Sequence, residues 1–445
     1  MFKSTLLALS AACAGLAAPL HAATPAGATQ AVAAAPGAPD AACPEGLPAL
    51  TRCLTGQDAA GAYWWIAVPK PWSGVLILHS HGGPELGPPK AERSAEDLKR
   101  WSIMVKAGHA WAGSTFRQGG VAVRSAAEDT ERLRSIFTHL VGAPKRTVLH
   151  GQSWGASVAA KGAEMFPKSY DGVLLTSGVL AGGSKAYDFR LDLRVVYQAL
   201  CNNHPKPDEP AYPLWQGLPP GSPLTRAELA RRIDDCTGIA SKPEARSPEQ
   251  QQRLATLVQQ AKLPERTLVA HLNWGTWHFQ DIVSKRTGGA NPFGNIGARY
   301  SGPPADLNER VLRYKPDAAA LAAFAEDTDP NGRIAVPVLT THAINDPTAF
   351  VEMDHTFRET MEKAGNGAKL VQTFTDEAEH SYLSDPEYPA LVDALLAWVE
   401  KGEKPTPAAV AQRCKGLEAK FGKGCRFVPD YQPPSLDSRV TPRER

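Results

Sequence analysis

From residue 62 onward, short apolar runs alternate with longer segments of helical spacing. Residues 63–68 and 75–80 read as strands, the second being the continuous apolar run VLILHS. The spacing predicts a helix over 96–107, a strand over 110–114 and a helix over 124–140. In the last of these, Ala127, Leu133, Ile136, Phe137 and Leu140 recur near helical periodicity. A strand over 147–150, a helix over 156–166 and a strand over 172–176 continue the alternation. Strands separated by helices pair in parallel and are covered on both faces, so the pattern predicts an α/β fold with a mostly parallel central sheet.

The alternation stops over 183–333. Proline-rich turns there separate helical patterns such as 226–233 and 248–262, without continuous strand signals. It resumes with a strand over 336–341, a helix over 350–364, a strand over 369–374 and a helix over 387–399. A largely helical cap insertion, 183–333, is therefore expected to interrupt a core formed by 43–182 and 334–402. Such insertions sit over the strand ends, where ligands of open α/β sheets bind. Residues 24–42 are mostly Ala, Pro, Gly and Thr and read as a linker. A tail over 403–445 ends in a segment rich in Pro, Asp and Arg, expected either to wrap the surface or to be disordered.

Composition narrows the class. The 445 residues carry a formal net charge of +2, which gives no reason to expect a nucleic-acid or membrane-surface partner. No apolar run beyond residue 25 approaches the ~20 residues of a membrane span. At the N-terminus, Lys3, the apolar stretch 6–18 and the small residues Ala22 and Ala23 match a secretory signal over 1–23. Export to the periplasm or beyond is the expectation. Cys13 makes a poor lipid-attachment site, because Ser10 stands where a leucine belongs. It would leave with the signal, and six of the seven cysteines would remain. Six cysteines allow 15 pairings. Short loops close most easily, so Cys43–Cys53, Cys201–Cys236 and Cys414–Cys425 are expected as disulfides. No CxxC spacing or cysteine–histidine pattern suggests a metal.

The candidate chemistry centres on Gly151-Gln152-Ser153-Trp154-Gly155, a G-x-S-x-G motif between a strand and a helix. A sharp strand-to-helix turn there would strain the central serine and lift its hydroxyl above the sheet. The flanking glycines avoid clashes, and the helix N-terminus points at developing negative charge. A bland alternative is a helix-capping serine after a glycine turn. In this context the motif resembles the α/β-hydrolase superfamily, over about 60–182 and 334–400. The resemblance implies a nucleophile–acid–histidine order along the chain. Asp346, just beyond the strand over 336–341, fits the acid; Asp354, inside a predicted helix, is a weaker rival. His380, after the strand over 369–374, fits the base; His342 and His355 compete but lie on the acid's side of the order.

The resemblance also implies an oxyanion hole built from the Trp154 backbone N–H and one from the His81-Gly82-Gly83-Pro84 loop, either Gly82 or Gly83. Each such donor is worth about 3 kcal/mol to a transition state. His79 and His81 could be read as metal ligands, but no acidic partner accompanies them. Trp274, Trp277 and Phe279, clustered in the insertion, are candidates to line an acyl pocket or else pack the insertion's own core.

The substrate is a small molecule under every catalytic reading, and no cofactor is required. A carboxylic ester is the first reading. The HGGP and SWG segments also resemble those of prolyl iminopeptidases, which makes a peptidase or amidase the second, although Glu85 stands where a glycine is expected. Residues 68–74 and 114–120 are similar to exported esterases. An enzyme acting on free N-termini would need carboxylates such as Asp234, Asp235 or Asp281 to hold the amine. A non-catalytic protein that kept the fold, and other chemistry on it, complete the alternatives.

Overall fold

The structure, a computed structural model, describes residues 40–444. The predicted signal over 1–23 and all but the last three residues of the predicted linker lie outside the described residues. Those three differ from expectation: Asp40 and Ala41 form a short strand on the sheet edge.

Among the described residues nine strands form one sheet in the order β1-β2-β3-β5-β4-β6-β7-β8-β9. Their ranges are β1 Asp40–Ala41, β2 Arg52–Gln57, β3 Tyr63–Val68, β4 Val75–Ser80, β5 Ala110–Ser114, β6 Arg146–Gln152, β7 Gly172–Thr176, β8 Val338–Ala343 and β9 Leu370–Thr375. The six from β5 to β9 run parallel, and β1, β2 and β3 add an antiparallel edge. This is the mostly parallel sheet that the alternating pattern predicts.

Successive side chains of a strand point to opposite faces. Leu76 and Leu78 accordingly join one core cluster, with Leu133 and Phe137 of the helix Val123–Leu140, Ala156 of Trp154–Met165 and Phe357 of Glu352–Lys363. Val75 and Ile77 join the opposite cluster, with Leu98 of Glu92–Arg100 and Leu391 and Leu395 of Glu387–Lys401. Every residue of β4, β5 and β7 is buried, as expected of strands covered on both sides.

Two local readings differ. The helix expected over 96–107 is two helices, Glu92–Arg100 and Ser102–Lys106, broken at Trp101. The break lets the buried Trp101 indole pack edge-on against His150 and Tyr388. The strand β2, with Gly56 in its interior, was not anticipated. In the sheet that glycine makes room for a ring: a Cβ there would stand 2.6 Å from Trp64.

The expected disulfides are all present: Cys43–Cys53, Cys201–Cys236 and Cys414–Cys425. The second ties the helix Asp188–Cys201 to the helix Arg226–Thr237. Between β7 and β8 the chain is helical. It includes those two helices, Pro248–Ala261, Leu268–Asn273 and Ala318–Thr328, and two π-helical turns, Trp274–His278 and Ile282–Arg286. Much of this segment packs around an apolar cluster of its own. The tail forms a further helix, Pro407–Phe421, and then wraps the surface. Phe427 bridges to Thr375, and Arg439 pairs with Glu352. Among the described residues no helix is long and apolar enough to cross a membrane.

Candidate active site

Ser153 stands between β6 and the helix Trp154–Met165 with φ 58° and ψ −124°, a left-handed backbone that L-residues rarely adopt. The turn is pinned on both sides. Ser153 N donates to Thr176 O at 2.9 Å, and Ser153 O accepts from Ala156 N and Val179 N. The flanking glycines are sterically required. A Cβ on Gly151 would stand 2.2 Å from Gly155 O, and one on Gly155 would stand 2.1 Å from Ser80 O. The helix start is thereby pressed against the end of β4.

Loops after β8 and β9 bring Asp346 and His380 to this turn. His380 Nδ1–H donates to Asp346 Oδ2 at 2.7 Å, which leaves Nε2 to accept from the Ser153 hydroxyl at 2.8 Å. Asp346 is 3% exposed. Its other oxygen accepts from the backbone N–H groups of Thr348 and Ala349, so the carboxylate is held in one orientation. Burial alone would raise its pKa, but His380 and His342 outweigh that and hold it below the usual carboxylate range.

His342, a rival for the base, lies behind the acid instead. Its Nδ1 donates to Asp354 Oδ2 at 2.5 Å, and its Nε2 donates to Ala349 O at 2.8 Å and lies 3.4 Å from Asp346 Oδ2. Both ring nitrogens thus face acceptors, and both carry protons. Burial opposes the charge, yet Asp354 and Asp346 prevail and raise the pKa to about 10 from 6.5. The rival acid Asp354 serves this buried imidazolium and not His380. A group whose pKa is raised by folding stabilises the protein in full below its unfolded pKa, here 6.5, and the contribution is lost as pH rises through about 10. His342→Gln is therefore expected to lower the urea-derived unfolding free energy most at pH 6 and progressively less toward pH 10. A gap that widens with pH would contradict a charged His342.

A cleft of about 330 Å³ opens in front of Ser153. Its walls include Gly82, Gly83, Gln152, Trp154, Tyr187, Arg190, Trp274 and His380. Both glycines proposed as oxyanion donors thus face it, as does Trp154 at the helix N-terminus, where backbone N–H groups lack intrahelical acceptors. Gly82 lies against Gln152, whose oxygen would stand 2.4 Å from an added Cβ, and Gly83 has φ 146°. The other histidines of this stretch point elsewhere. His79 pairs with His150 at 3.0 Å beneath the sheet end, and His81 Nδ1 donates to Gly82 O at 2.6 Å. Burial pushes the His81 pKa down to about 4.

Of the three aromatic residues expected at an acyl pocket, only Trp274 lines this cleft. Phe279 is fully buried and stacks on Phe293 at 4.1 Å. Trp277 lines a separate groove with Leu86 and Leu218, under the Arg226 guanidinium. Trp274–His278 forms a π-helical turn, so the α-helical rule that positions three apart share a face does not hold for Trp277.

Several residues that the sequence reading gave no role of their own also shape the site. Gln152 Nε2 donates to Ser381 Oγ, and Arg100 donates to Ser381 O at 3.2 Å, which latches the loop carrying His380. His278 Nε2 donates to Pro84 O and His271 Nε2 to Pro347 O, both at 2.9 Å. The helical segment is thereby tied to the HGGP loop and to the acid loop. Arg190 and Tyr187 form one wall. Arginines within a buried stripe of the helix Asp188–Cys201 were the available signal.

No protein-family model and no curated protein matches the chain. Among solved structures, it is similar to an esterase from Aspergillus oryzae, with a TM-score of 0.42 and 12% identity over 80% of this chain and 81% of that one. Feruloyl esterase B from Aspergillus oryzae aligns with a TM-score of 0.38 and 15% identity, over 80% and 81%. The rice cell wall degrading esterase LipA from Xanthomonas oryzae aligns with a TM-score of 0.36 and 15% identity, over 83% and 90%.

Proposed function

We propose that this chain is an exported serine hydrolase of the α/β-hydrolase type that cleaves a carboxylic ester. The observation that carries the reading is the hydrogen-bonded series Ser153–His380–Asp346 at the floor of an open cleft. Ser153 Oγ attacks the ester carbonyl while His380 Nε2 takes the hydroxyl proton. The oxyanion is held by the Trp154 backbone N–H and by that of Gly82 or Gly83. The carbonyl carbon–oxygen bond to the leaving group breaks, and His380 returns the proton to the departing alcohol. Water then attacks the acyl-Ser153, gives a proton to His380 and releases the carboxylic acid; the proton returns to Ser153. Asp346 fixes the imidazole tautomer and stabilises its charged form. Segment 183–333 acts as a cap, contributing Tyr187, Arg190 and Trp274 to the cleft. The three disulfides support an oxidising destination, periplasmic or secreted.

The peptidase reading has less support. Asp235 pairs with Arg231, Asp281 with Lys285, and neither these nor Asp234 lines the cleft. The carboxylate that does line it, Glu85, pairs with Arg93. Purified protein is expected to hydrolyse p-nitrophenyl acyl esters and to take one fluorophosphonate label on Ser153, located by peptide mass spectrometry. Release of p-nitroaniline from aminoacyl anilides without ester cleavage would favour the peptidase. Absence of both turnover and label would reject the hydrolase.

A further inference from the structure

Two arginines lie one turn apart on the helix Asp188–Cys201, and both are buried. Arg194 is engaged by the protein through both terminal nitrogens, although its Nε has no partner among the described residues. Its Nη1 donates to Thr276 Oγ1 at 2.6 Å and to His204 Nε2 at 2.7 Å, and its Nη2 reaches Gly217 O. Arg190 is 5% exposed and makes no side-chain hydrogen bond or ion pair among the described residues. It lies instead in an aromatic cradle, its guanidinium carbon 4.2 Å from the Trp274 ring centre, 4.5 Å from Phe189 and 5.4 Å from Tyr187. The cradle offsets part of the cost of burying the charge, but it supplies no acceptor for the guanidinium N–H groups.

Arg190 lines the same cleft as Ser153 and His380. The cleft's other charges do not neutralise it. Arg93 is matched by Glu85 and Asp97, each at 3.2 Å, whereas Arg100 donates to a carbonyl and has no carboxylate partner among the described residues. Burial lowers the Arg190 pKa to about 9, so it is charged at neutral pH. A buried cation kept without an anion is expensive. A planar fork of donors facing a cleft fits a carboxylate in two parallel bonds. The three rings of the cradle pack against the guanidinium carbon at 4.2–5.4 Å and leave the fork on the cleft wall.

We propose that Arg190 binds a free carboxylate on the substrate, so that the enzyme acts on monoesters that are also carboxylic acids. The position of the cleaved bond rests on the Ser153 reading; the anion site itself does not. The carboxylate can belong to the acyl half or to the alcohol half of the ester, and substrates can separate the two.

The full chain would be titrated by calorimetry with benzoate and with benzamide, a neutral analogue of the same shape. Benzoate is expected to bind about tenfold or more tightly, the scale of a charge-assisted pair, and Arg190→Gln is expected to abolish the difference. Equal affinities in the unaltered protein would overturn the proposal without recourse to a variant, which matters if Arg190→Gln does not fold. In turnover, monomethyl glutarate would be set against its carboxamide analogue, and 4-acetoxybenzoate against 4-acetoxybenzamide. Preference for the anionic member of the first pair places the carboxylate on the acyl half, and of the second pair on the alcohol half. In Arg190→Gln the ratio for the preferred pair is expected to collapse toward one. Ester turnover with no preference in either pair would overturn the anion site and leave the hydrolase standing. Benzoate binding through Arg190 without turnover of any ester would support the anion site and reject the ester hydrolase.

Discussion

Ser153→Ala is expected to lower kcat about a millionfold, the loss seen when a triad nucleophile is removed, while the melting temperature stays close to that of the unaltered protein. The reason lies in the turn. Alanine has the same Cβ as serine and is no less strained at φ 58° and ψ −124°. Ser153 Oγ accordingly makes its hydrogen bond to His380 and contributes little to the fold. Ser153→Gly should be equally inactive but more stable, because glycine adopts this backbone freely. A strained residue costs about 1–3 kcal/mol, and glycine gives part of the relief back as entropy in the unfolded chain. Calorimetric melting beside hydrolysis of the best p-nitrophenyl ester would check both variants. A glycine variant less stable than the alanine variant would mean that the turn is held by side-chain contacts and not against strain. Retained turnover in either variant would remove Ser153 as the nucleophile.

The pieces of this site differ in how they are written in the sequence. The strand-turn-helix around Ser153 was legible because glycines at 151 and 155 answer to contacts within a few residues or with the adjacent strand. Asp346 and His380 were legible through their order after strands of recognisable pattern. What escaped depends on contacts between distant segments. Nothing near Arg190 distinguishes it from Arg194 one turn later; only the approach of Thr276, His204 and Gly217 occupies one and leaves the other open to the cleft. The π-helical turn at Trp274–His278 likewise has no pattern of its own, and Trp277 within it does not line the cleft that Trp274 faces. His342 was weighed as a base and set on the acid's side of the order; its partners Asp354 and Ala349 come from the next helix and loop.

The C-terminal tail shows the same dependence, and its energetic consequence is large. Arg443, within the segment that could have been disordered, has a side chain only 2% exposed. Its Nη2 meets Asp192 Oδ2 at 2.5 Å, its Nε approaches Asp188 Oδ2 at 3.6 Å, and its Nη1 donates to Gly294 O at 3.1 Å. Both aspartates belong to the helix that carries Arg190. Arg443→Ala is expected to cost about 3–5 kcal/mol of unfolding free energy, because it removes the counter-charge from the buried Asp192 carboxylate and leaves it the Tyr300 hydroxyl. Arg443→Lys should lose less, since it keeps the charge but not the fork that reaches Asp192 and Gly294 together. Urea unfolding of the full chain measures both. A loss below about 1 kcal/mol for the alanine variant would place the pair in the range of exposed ion pairs, and the tail would then be no anchor. If the loss is large, the last residues of the chain hold the wall of the cleft, since the helix they brace presents Arg190 to Ser153.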